Sequence, residues 1–413
     1  SAPPPKDPHK PLGLRPRPPL AGVRGVLASL YSAATRTTRH HKHSSMGPNM
    51  RRCDRHRSRL AACTLMSLIF AAGAHGQTPE KIVPCNPLSH PELKKLERVH
   101  SLGDFRVFYT ERPPSSGVDH RLPPQSAIDR NGNGVPDFVE NVAKQAEAAR
   151  QTFNLLGFRD PLESPRYRAV RFIDINILNM AGNGLAADSP IHYSSVGRTS
   201  DCTLRIDISS QLETQMVGTP GNQYQAELTK HWFVVAHEVF HLFQYGYTQF
   251  KRGWINEPVA KWAEYTMRMQ ASYPTSPDYT LPATLEEFQT HIAAAPTGTT
   301  ANRFWARLIE LLDTSSDELR VPIELLMTEP YVDGQLIFKD DALRGAAFIG
   351  AVYQTLDAED DIVSHGNGWN YHNWAESDQT SATHDARLLR AIQRVLQRSG
   401  VSNAEIRALV EIK

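Results

Sequence analysis

The sequence predicts an α+β fold, in which a small twisted sheet packed by helices is followed by a mainly helical C-terminal part. Three observations support this prediction. Alternating or β-rich runs occur at Phe105–Thr110, Ala169–Leu178 and Thr203–Ser209. An apolar segment typical of an interior helix, WFVVAHEVFHLFQ, occupies residues 232–244. Beyond residue 270 the apolar residues recur at helical spacing.

The N-terminal part of the chain has the composition of an export segment. Residues 1–49 are rich in Pro, Arg, His, Ser and Thr without apolar periodicity, which indicates disorder or sequence upstream of the true start. Residues 50–76 show a basic start, the apolar stretch LAACTLMSLIFAA and a small-residue exit, as a signal peptide does. The stretch is too short to span a bilayer permanently. We therefore expect a secreted protein without a stable membrane anchor.

Charge is distributed unevenly along the chain. Residues 1–76 hold 13 of the 45 Lys and Arg residues and 2 of the 44 Asp and Glu residues. The remainder has 32 basic and 42 acidic residues, a net charge of −10. Because the basic excess lies in the part removed on export, a nucleic-acid partner is disfavoured.

Two cysteines, Cys85 and Cys202, remain after residue 76. In an oxidising compartment they could form a disulfide that ties the N-terminal segment to the central sheet. Two free buried thiols are the alternative.

A twelve-residue segment at 129–140, DRNGNGVPDFVE, has the spacing of a calcium loop. Its oxygen-bearing groups fall where an EF-hand loop places its ligands, and hard oxygen ligands favour Ca²⁺ over Zn²⁺. The predicted ligands of this structural calcium are Asp129, Asn131, Asn133, the carbonyl of Val135, Asp137 and Glu140. A helix should leave the loop at Phe138 and run to about Leu156. An Asn/Gly turn without an ion is the alternative.

The apolar helix contains the pattern H-E-x-x-H at residues 237–241. Residues four apart lie over one another on a helix, so His237 and His241 share a face, with Glu238 beside them. Two neutral imidazoles placed in this way can bind Zn²⁺, and the carboxylate can take a proton from water at the metal. Unpaired His and Glu side chains are costly on an interior helix, which favours a metal site over hydrogen-bonded core histidines.

A second helix should begin near Glu257 and run to about Met269, with Asn256 as its N-cap and Pro258 in its first turn. A catalytic zinc needs three protein ligands and one open position. Glu257 and Glu264 lie seven residues apart and so share a helix face. We expect Glu257 to be the third ligand and Glu264 to hold an imidazole N–H, although the two roles could be exchanged.

HEVFH followed by WINEPVAKWAE resembles the gluzincin zincins, whose metal site combines H-E-x-x-H with a glutamate in a W-x-N-E-G-x-A-like segment. The positions that match are His237 and His241 for the zinc histidines, Glu238 for the general base and Glu257 for the glutamate ligand. The chain departs from this pattern in a shorter gap after His241 and in Pro258, where the family has Gly.

A second resemblance covers roughly residues 100–270. The pairing of D-x-N-x-N-G-x-P-D with H-E-x-x-H is similar to a loosely characterised group of secreted bacterial metalloproteases. Together the resemblances imply a zincin-like catalytic domain at 77–270. The remaining residues, 271–413, should form a helical subdomain that closes one wall of a cleft. Its predicted helices are Asn302–Leu312, Val321–Met327, Ala342–Leu356, Ala386–Ser399 and a short one from Asn403.

These features predict a secreted zinc metallopeptidase that acts on a protein or peptide substrate, with Glu238 as general base. A Tyr or His should stabilise the oxyanion, and the nearby candidates are Tyr245, Tyr247, His231 and Tyr265. An edge strand should hold the substrate backbone, and by chain order residues 203–209 are the candidate, with an internal strand as the alternative.

Two other classes of function stay open. One is a secreted binding module that keeps the metal but cleaves nothing. The other is a zinc hydrolase of a non-peptide amide in cell-wall material. The pattern does not determine the oligomeric state.

Overall fold

The computed structural model describes residues 84–193, 198, 201–214, 216–219, 222–225, 230–268, 276, 278–294, 299–312, 328–339, 343–371 and 373–413. All of these residues belong to one compact unit, Ala74–Lys413. The expected N-terminal segments, 1–49 and 50–76, and the expected helix Val321–Met327 lie outside the described residues.

Six strands form a mixed sheet with the spatial order β1-β5-β6-β4-β3-β2. They are β1 (Asn86–Leu88), β2 (Arg98–Leu102), β3 (Phe105–Tyr109), β4 (Val170–Leu178), β5 (Gly184–Tyr193) and β6 (Cys202–Ser209). The pairs β1/β5, β3/β4 and β4/β6 are parallel, whereas β2/β3 and β5/β6 are antiparallel. A separate hairpin joins β7 (Met216–Thr219) to β8 (Asn222–Gln225). Strands β3, β4 and β6 confirm the three predicted runs.

Alternation along β4 explains why it lies in the middle of the sheet. Its isoleucines, Ile173, Ile175 and Ile177, are fully buried in the main core. The intervening side chains point to the opposite face, where they would be costly without partners. There the Asp174 carboxylate accepts hydrogen bonds from Arg106 at 2.7 and 3.0 Å. Both faces of this strand are therefore satisfied, one by packing and the other by an ion pair.

Helices account for most of the remaining chain. The longer ones are α1 (Asp137–Leu155), α2 (Lys230–Tyr247), α3 (Gly253–Ala263), α6 (Thr299–Leu312), α7 (Ala346–Asn367), α9 (Asp385–Ser399) and α10 (Ala404–Glu411). Single turns form α4 (Tyr265–Arg268), α5 (Leu285–Phe288) and α8 (Glu376–Gln379). Short 3₁₀ segments lie at Glu92–Lys95, Pro161–Glu163, Pro165–Tyr167 and Ala382–His384, and a π turn lies at Gln289–Ala293. The sheet with its helices establishes the α+β class. Within the described residues, no helix combines the length and apolarity that a bilayer crossing needs.

The core lies where α1 and α2 pack on each other and on the sheet. The Phe153 ring of α1 lies 4.8 Å from that of Phe240 and 5.4 Å from that of Phe243 on α2, both edge to face. Such aromatic pairs add to the free energy gained by burying the rings. Helix α2 is thus fixed on its apolar sides, which leaves little freedom to the polar side chains that it carries.

Helix α3 begins earlier than the sequence predicts. It starts at Gly253, so Asn256 is a buried residue inside the helix and not its N-cap, and Pro258 lies beyond the first turn. Proline has no N–H to donate to the carbonyl four residues earlier, that of Trp254. The indole N–H of Trp305 donates to this carbonyl instead, at 2.9 Å. A contact with α6, distant in sequence, thereby makes the mid-helix proline tolerable.

The other predicted helices that fall within the described residues are confirmed with shifted ends. Helix α1 begins one residue before Phe138, and α6 extends the predicted Asn302–Leu312 by one turn at its start. Helix α7 begins after Gly345 (φ +86°) and continues past Leu356 to Asn367. Helix α10 follows Asn403, whose side chain accepts the N–H of Glu405 at 2.8 Å. Asn403 is therefore an N-cap, as its residue type favours.

The expected edge strand at 203–209 is an interior strand. Strand β6 pairs with β4 on one side and with β5 on the other. The structure also joins Cys85 to Cys202, with a Cα–Cα distance of 5.9 Å, so the residues before β1 are tied to the start of β6.

Candidate metal centre

His237 and His241 project from α2 toward the same point. Their Nε2 atoms lie 3.1 Å apart and their rings are nearly perpendicular, at 84°. Glu257, on α3, completes the group with its carboxylate oxygens 3.4 Å from the Nε2 of His237 and 3.6 Å from that of His241. One atom from each of these three residues lies within 4.8 Å of the others.

These separations are of the size found between neighbouring ligand atoms of a bound metal ion. Zinc binds imidazole nitrogen and carboxylate oxygen at about 2.0–2.2 Å, so ligand atoms at tetrahedral corners lie about 3.3–3.5 Å from one another. The two Nε2 atoms, 3.1 Å apart, are near this value, and each has its own carboxylate oxygen of Glu257, at 3.4 Å from His237 and 3.6 Å from His241. Three protein ligands also leave a fourth position open. The side chain of Glu257 is 43% exposed, so the group is open to solvent on that side.

Each imidazole is held from behind through its other nitrogen. The Nδ1 of His237 lies 2.8 Å from an oxygen of Glu264, and the Nδ1 of His241 lies 2.7 Å from the amide oxygen of Gln244. Gln244 in turn donates to the backbone carbonyl of Asn256 at 3.0 Å. Bonds of this kind fix the tautomer and ring orientation of metal-binding histidines. Both Nε2 atoms are therefore available to an ion.

This arrangement decides between the two glutamates. Glu257 lies in the ligand group, whereas Glu264 is buried behind His237. Gln244 is a residue that sequence reasoning missed. It follows His241 by three positions and so shares its helix face, which is the signal that could have identified it.

The electrostatics of the group favour a bound cation. Burial alone would lower the pKa of His237, but hydrogen bonds to Glu257 and Glu264 outweigh burial and raise this pKa to about 10. Burial and the positive charge of His237 lower the pKa of His241 to about 4. The centre thus stabilises one positive charge between two rings. A divalent ion can replace that proton.

Glu238 lies between the histidines and strand β5. Burial raises the pKa of its carboxyl to about 7, although the charge of His237 and a hydrogen bond from the N–H of Ala186 act in the opposite direction. A Cβ atom placed on Gly184 would lie 2.6 Å from an oxygen of Glu238 and 2.7 Å from its Cγ. Only glycine leaves room for the carboxylate to approach this strand so closely.

Strand β5 presents an open edge next to Glu238. Its residues 184–187 pair with β6 on one side, and on the other side β1 pairs only with residues 191–193. Within the described residues, no other strand covers this side of residues 184–190. Sequence reasoning missed β5 because GLAADSPIHY contains Gly and Pro and has no clear apolar alternation.

The four candidates for the oxyanion partner fall in different places. The ring of Tyr245 stacks on that of His241, with centroids 5.7 Å apart. The hydroxyl of Tyr247 accepts the backbone N–H of Arg159 at 2.8 Å, inside the core. Tyr265 packs against the same core. The side chain of His231 lies outside the described residues. Tyr245 is therefore the candidate that lies at the metal group.

The 129–140 loop closes on itself. The carboxylate of Asp129 accepts the backbone N–H groups of residues 132 and 134 at 2.8 Å. Asn131 and Asn133 each donate to Glu140 at 2.9 Å. The carboxylate of Asp137 accepts from the Arg130 guanidinium at 2.6 Å. Among the described residues the loop carboxylates do not form a group placed to hold an ion, and the group at α2 and α3 does.

Comparisons with protein-family models, with curated proteins and with solved structures found no match to this chain.

Proposed function

We propose that this protein is a zinc-dependent peptidase with a zincin-like site of the gluzincin type. One observation carries the proposal: the two imidazoles and the Glu257 carboxylate form one group placed to hold an ion, while Glu238 reaches from the same helix as the imidazoles to the open edge of β5. A ligand group, a neighbouring proton acceptor and a place for an extended substrate therefore lie together.

Zinc is the ion that these ligands suit best. Two nitrogen donors and one carboxylate fit Zn²⁺ better than Ca²⁺ or Mg²⁺, which prefer more oxygen ligands. Held there, Zn²⁺ would lower the pKa of water and polarise a carbonyl group.

Glu238 supplies the proton transfer. Its carboxyl follows a proposed metal ligand directly in the helix and would accept a proton from the attacking water and return it to the leaving amine. The hydrogen bond from Ala186 and the close approach to Gly184 fix its position. A general base must lie within hydrogen-bond reach of the proton that it removes.

The open edge of β5 supports a polypeptide as substrate. A strand residue points its N–H and C=O to the same side, so Ala186, whose N–H donates to Glu238, directs its carbonyl to the open edge as well. An extended peptide can add to such an edge through main-chain hydrogen bonds. Tyr245 lies on the other flank of His241, where a hydroxyl could stabilise the oxyanion.

The test compares Glu238→Gln with Glu163→Gln, a change at an exposed glutamate. We expect the first variant to retain zinc but to lose peptide hydrolysis by about 10²–10⁴-fold, because the proton acceptor is gone. The control should cleave casein and a peptide library like the parent. Zinc content by elemental analysis and initial rates give the two readouts.

Three results would contradict the proposal. Turnover by Glu238→Gln at the parental rate would remove the general-base role. Zinc without any turnover in the parent chain would favour a metal-containing binding module. Cleavage of peptidoglycan fragments but not of proteins would favour a hydrolase of non-peptide amides.

We propose that the protein acts outside the cytoplasm, as the signal-like segment 50–76 predicts. The disulfide between Cys85 and Cys202 supports this, since such bonds persist in oxidising compartments. We further propose that the 129–140 loop binds a structural Ca²⁺ through Asp129, Asn131, Asn133, the carbonyl of Val135 and Glu140. Asp137 would not contribute, since it pairs with Arg130.

A further inference from the structure

A cavity of about 420 Å³ opens beside the metal centre, between the edge of β5 and the region of α8. It shares two residues with the centre. Ala186 donates its N–H to Glu238, and the ring of Tyr245 stacks on His241. A substrate strand lying along β5 past Glu238 would therefore pass the mouth of this cavity.

Asp188 and Lys251 line the cavity as an ion pair. The pairing of β5 with β6 shifts register between Ala187 and Ile191, so Asp188 lies in an irregular stretch of the strand. Irregularities of this kind re-aim side chains, often next to active sites. Lys251 follows α2, and its ammonium lies 4.9 Å from the centre of the Tyr245 ring. The pair thus connects the substrate-facing strand with the segment that leaves the metal helix.

Of the Asp188–Lys251 pair, the group that can still form hydrogen bonds in the cavity is a donor, the Lys251 ammonium. Both oxygens of Asp188 are engaged, one by Lys251 and the other by the Ser189 hydroxyl at 3.2 Å. An ammonium has three N–H groups. Among the described residues, the hydrogen bond of the Lys251 ammonium is the one to Asp188. An acceptor group entering the cavity would find unused N–H groups there.

The side chains next to Asp188 also carry positive charge, which suits a negatively charged acceptor. Arg166 is 2% exposed, and its Nε and Nη1 have no hydrogen-bond partner within the described part of the chain. Burial would raise the pKa of Asp188, but Lys251 and Arg166 lower it, which places both cations near this carboxylate. Two cations, the buried Arg166 and the half-buried Lys251, therefore lie near the half-buried carboxylate of Asp188. Glu376, the other acidic residue of the lining, is exposed at the surface.

We propose that this cavity is a subsite for an acidic side chain of the substrate, whose carboxylate binds the ammonium of Lys251. The proposal rests on the peptidase function proposed above. Asp188 lies two residues beyond Ala186, which is about 6.6 Å along a strand. The acidic residue should therefore lie one to three positions from the scissile bond, on one side of it.

The experiment uses the full zinc-loaded chain and a degenerate octapeptide library, with cleavage products identified by mass spectrometry. We expect Glu or Asp to be enriched at one position near the cut. Three peptides that differ only in Glu, Gln or Lys at that position then give kcat/KM values. Because a hydrogen bond between charged groups is at stake, the Glu peptide should be cleaved about tenfold or more faster than the Gln peptide.

Two variants should move this preference in opposite directions. Lys251→Met should bring the Glu-to-Gln ratio to about one, whereas Lys251→Arg should preserve it. Asp188→Asn should increase the ratio, because it removes the carboxylate that competes for Lys251. If the ion pair were purely structural, Lys251→Met and Asp188→Asn would change the Glu-to-Gln ratio in the same direction. The exposed Lys94→Met is the matched control and should leave the ratio unchanged.

Binding separates this subsite from the proposed chemistry. The zinc-loaded Glu238→Gln variant should bind the Glu peptide about tenfold more tightly than the Gln peptide by calorimetry. If no peptide is cleaved, an array of octapeptides differing only in Glu, Gln or Lys takes the place of the three peptides. A Lys251-dependent preference for Glu in binding, with no cleavage, would support the subsite and overturn the peptidase. Cleavage with equal rates for Glu and Gln, or with a preference that survives in Lys251→Met, would overturn the subsite alone.

Discussion

The imidazoles of His237 and His241 are held from behind by Glu264 and Gln244, whereas the polar side chains of the 129–140 loop bond one another and the backbone of the loop. The first group takes its parts from α2, α3 and the turn after α3. The second lies within a single twelve-residue segment. Both regions match an ion-binding motif in the sequence, and among the described residues the first is the one whose His and Glu side chains form a group placed to hold an ion.

The difference shows what makes a motif into a site. In the metal centre, surrounding elements satisfy the outer nitrogen of each ring, so the inner nitrogens face each other and the Glu257 carboxylate. In the loop, the same oxygens that would bind calcium already accept N–H groups. The polar groups of the loop thus satisfy one another, while those of the metal centre gather where an ion could lie.

The strongest test of this contrast is to change the two glutamates near the histidines. Glu257→Ala removes a ligand and should abolish most zinc binding, whereas Glu264→Gln keeps the ligands but loosens His237 and should weaken zinc binding about 10- to 100-fold. Competition with a chromogenic chelator measures both affinities. Equal losses in the two variants would mean that the roles assigned to Glu257 and Glu264 are wrong.

A change in β5 tests whether the edge strand and Glu238 act as a unit. Gly184→Ala would place a methyl group within 2.6 Å of the carboxylate, so Glu238 must move. We expect zinc content to stay the same and kcat to fall by up to about 100-fold, because small misplacements of a reacting group are costly. Gly366→Ala, where an added Cβ meets nothing within 4 Å, is the control. An unchanged kcat in Gly184→Ala would show that the contact between β5 and Glu238 has no role in catalysis.

The buried carboxyl of Glu213, which bonds to Ser126 just before the 129–140 loop, should make the stability of the protein depend on pH. Burial raises the pKa of this carboxyl to about 7, and it accepts a hydrogen bond from Ser126. The folded protein therefore holds this proton at a higher pH than the unfolded chain, whose value is 4.5. The contribution of the protonated Glu213 carboxyl to the free energy of unfolding is complete below pH 4.5 and is lost as the pH rises through about 7.

Glu213→Gln should remove this dependence. Chemical denaturation at pH 8 should show a gain of up to about 3 kcal/mol over the parent, with little difference at pH 4.5. The opposite trend, in which the variant loses stability mainly at high pH, would mean that the folded protein prefers the carboxylate.

Calcium gives the smallest expected effect. Saturating Ca²⁺ should raise the melting temperature of the parent by about 2–5 °C, since a ligand at many times its Kd stabilises the folded state by a few kcal/mol. Glu140→Gln should abolish the rise. Asp137→Asn should keep it, because the structure pairs Asp137 with Arg130. No response in the parent, or the same response with Mg²⁺, would leave the loop as a turn without an ion.

The sequence alone was sufficient for features that depend on local order. Residues four apart on a helix must share a face, so His237 and His241 could be paired without a structure. Strands β3, β4 and β6 follow from their apolar alternation, and Asn403 follows from its capping preference. The start of α3 could not be predicted, because the carbonyl freed by Pro258 is satisfied by Trp305, about fifty residues later.

Tertiary structure decided every choice between residues of similar chemistry. Glu257 and Glu264 have the same side chain on the same stretch of chain, and only packing places one in front of the histidines and the other behind them. The edge beside Glu238 belongs to β5 and not to β6, because strand order in a sheet is set by long-range pairing that periodicity does not encode. The sequence determined which groups could act, since chemistry belongs to residue types and helix spacing. The fold determined which of them meet, since distance between remote residues depends on how the whole chain packs.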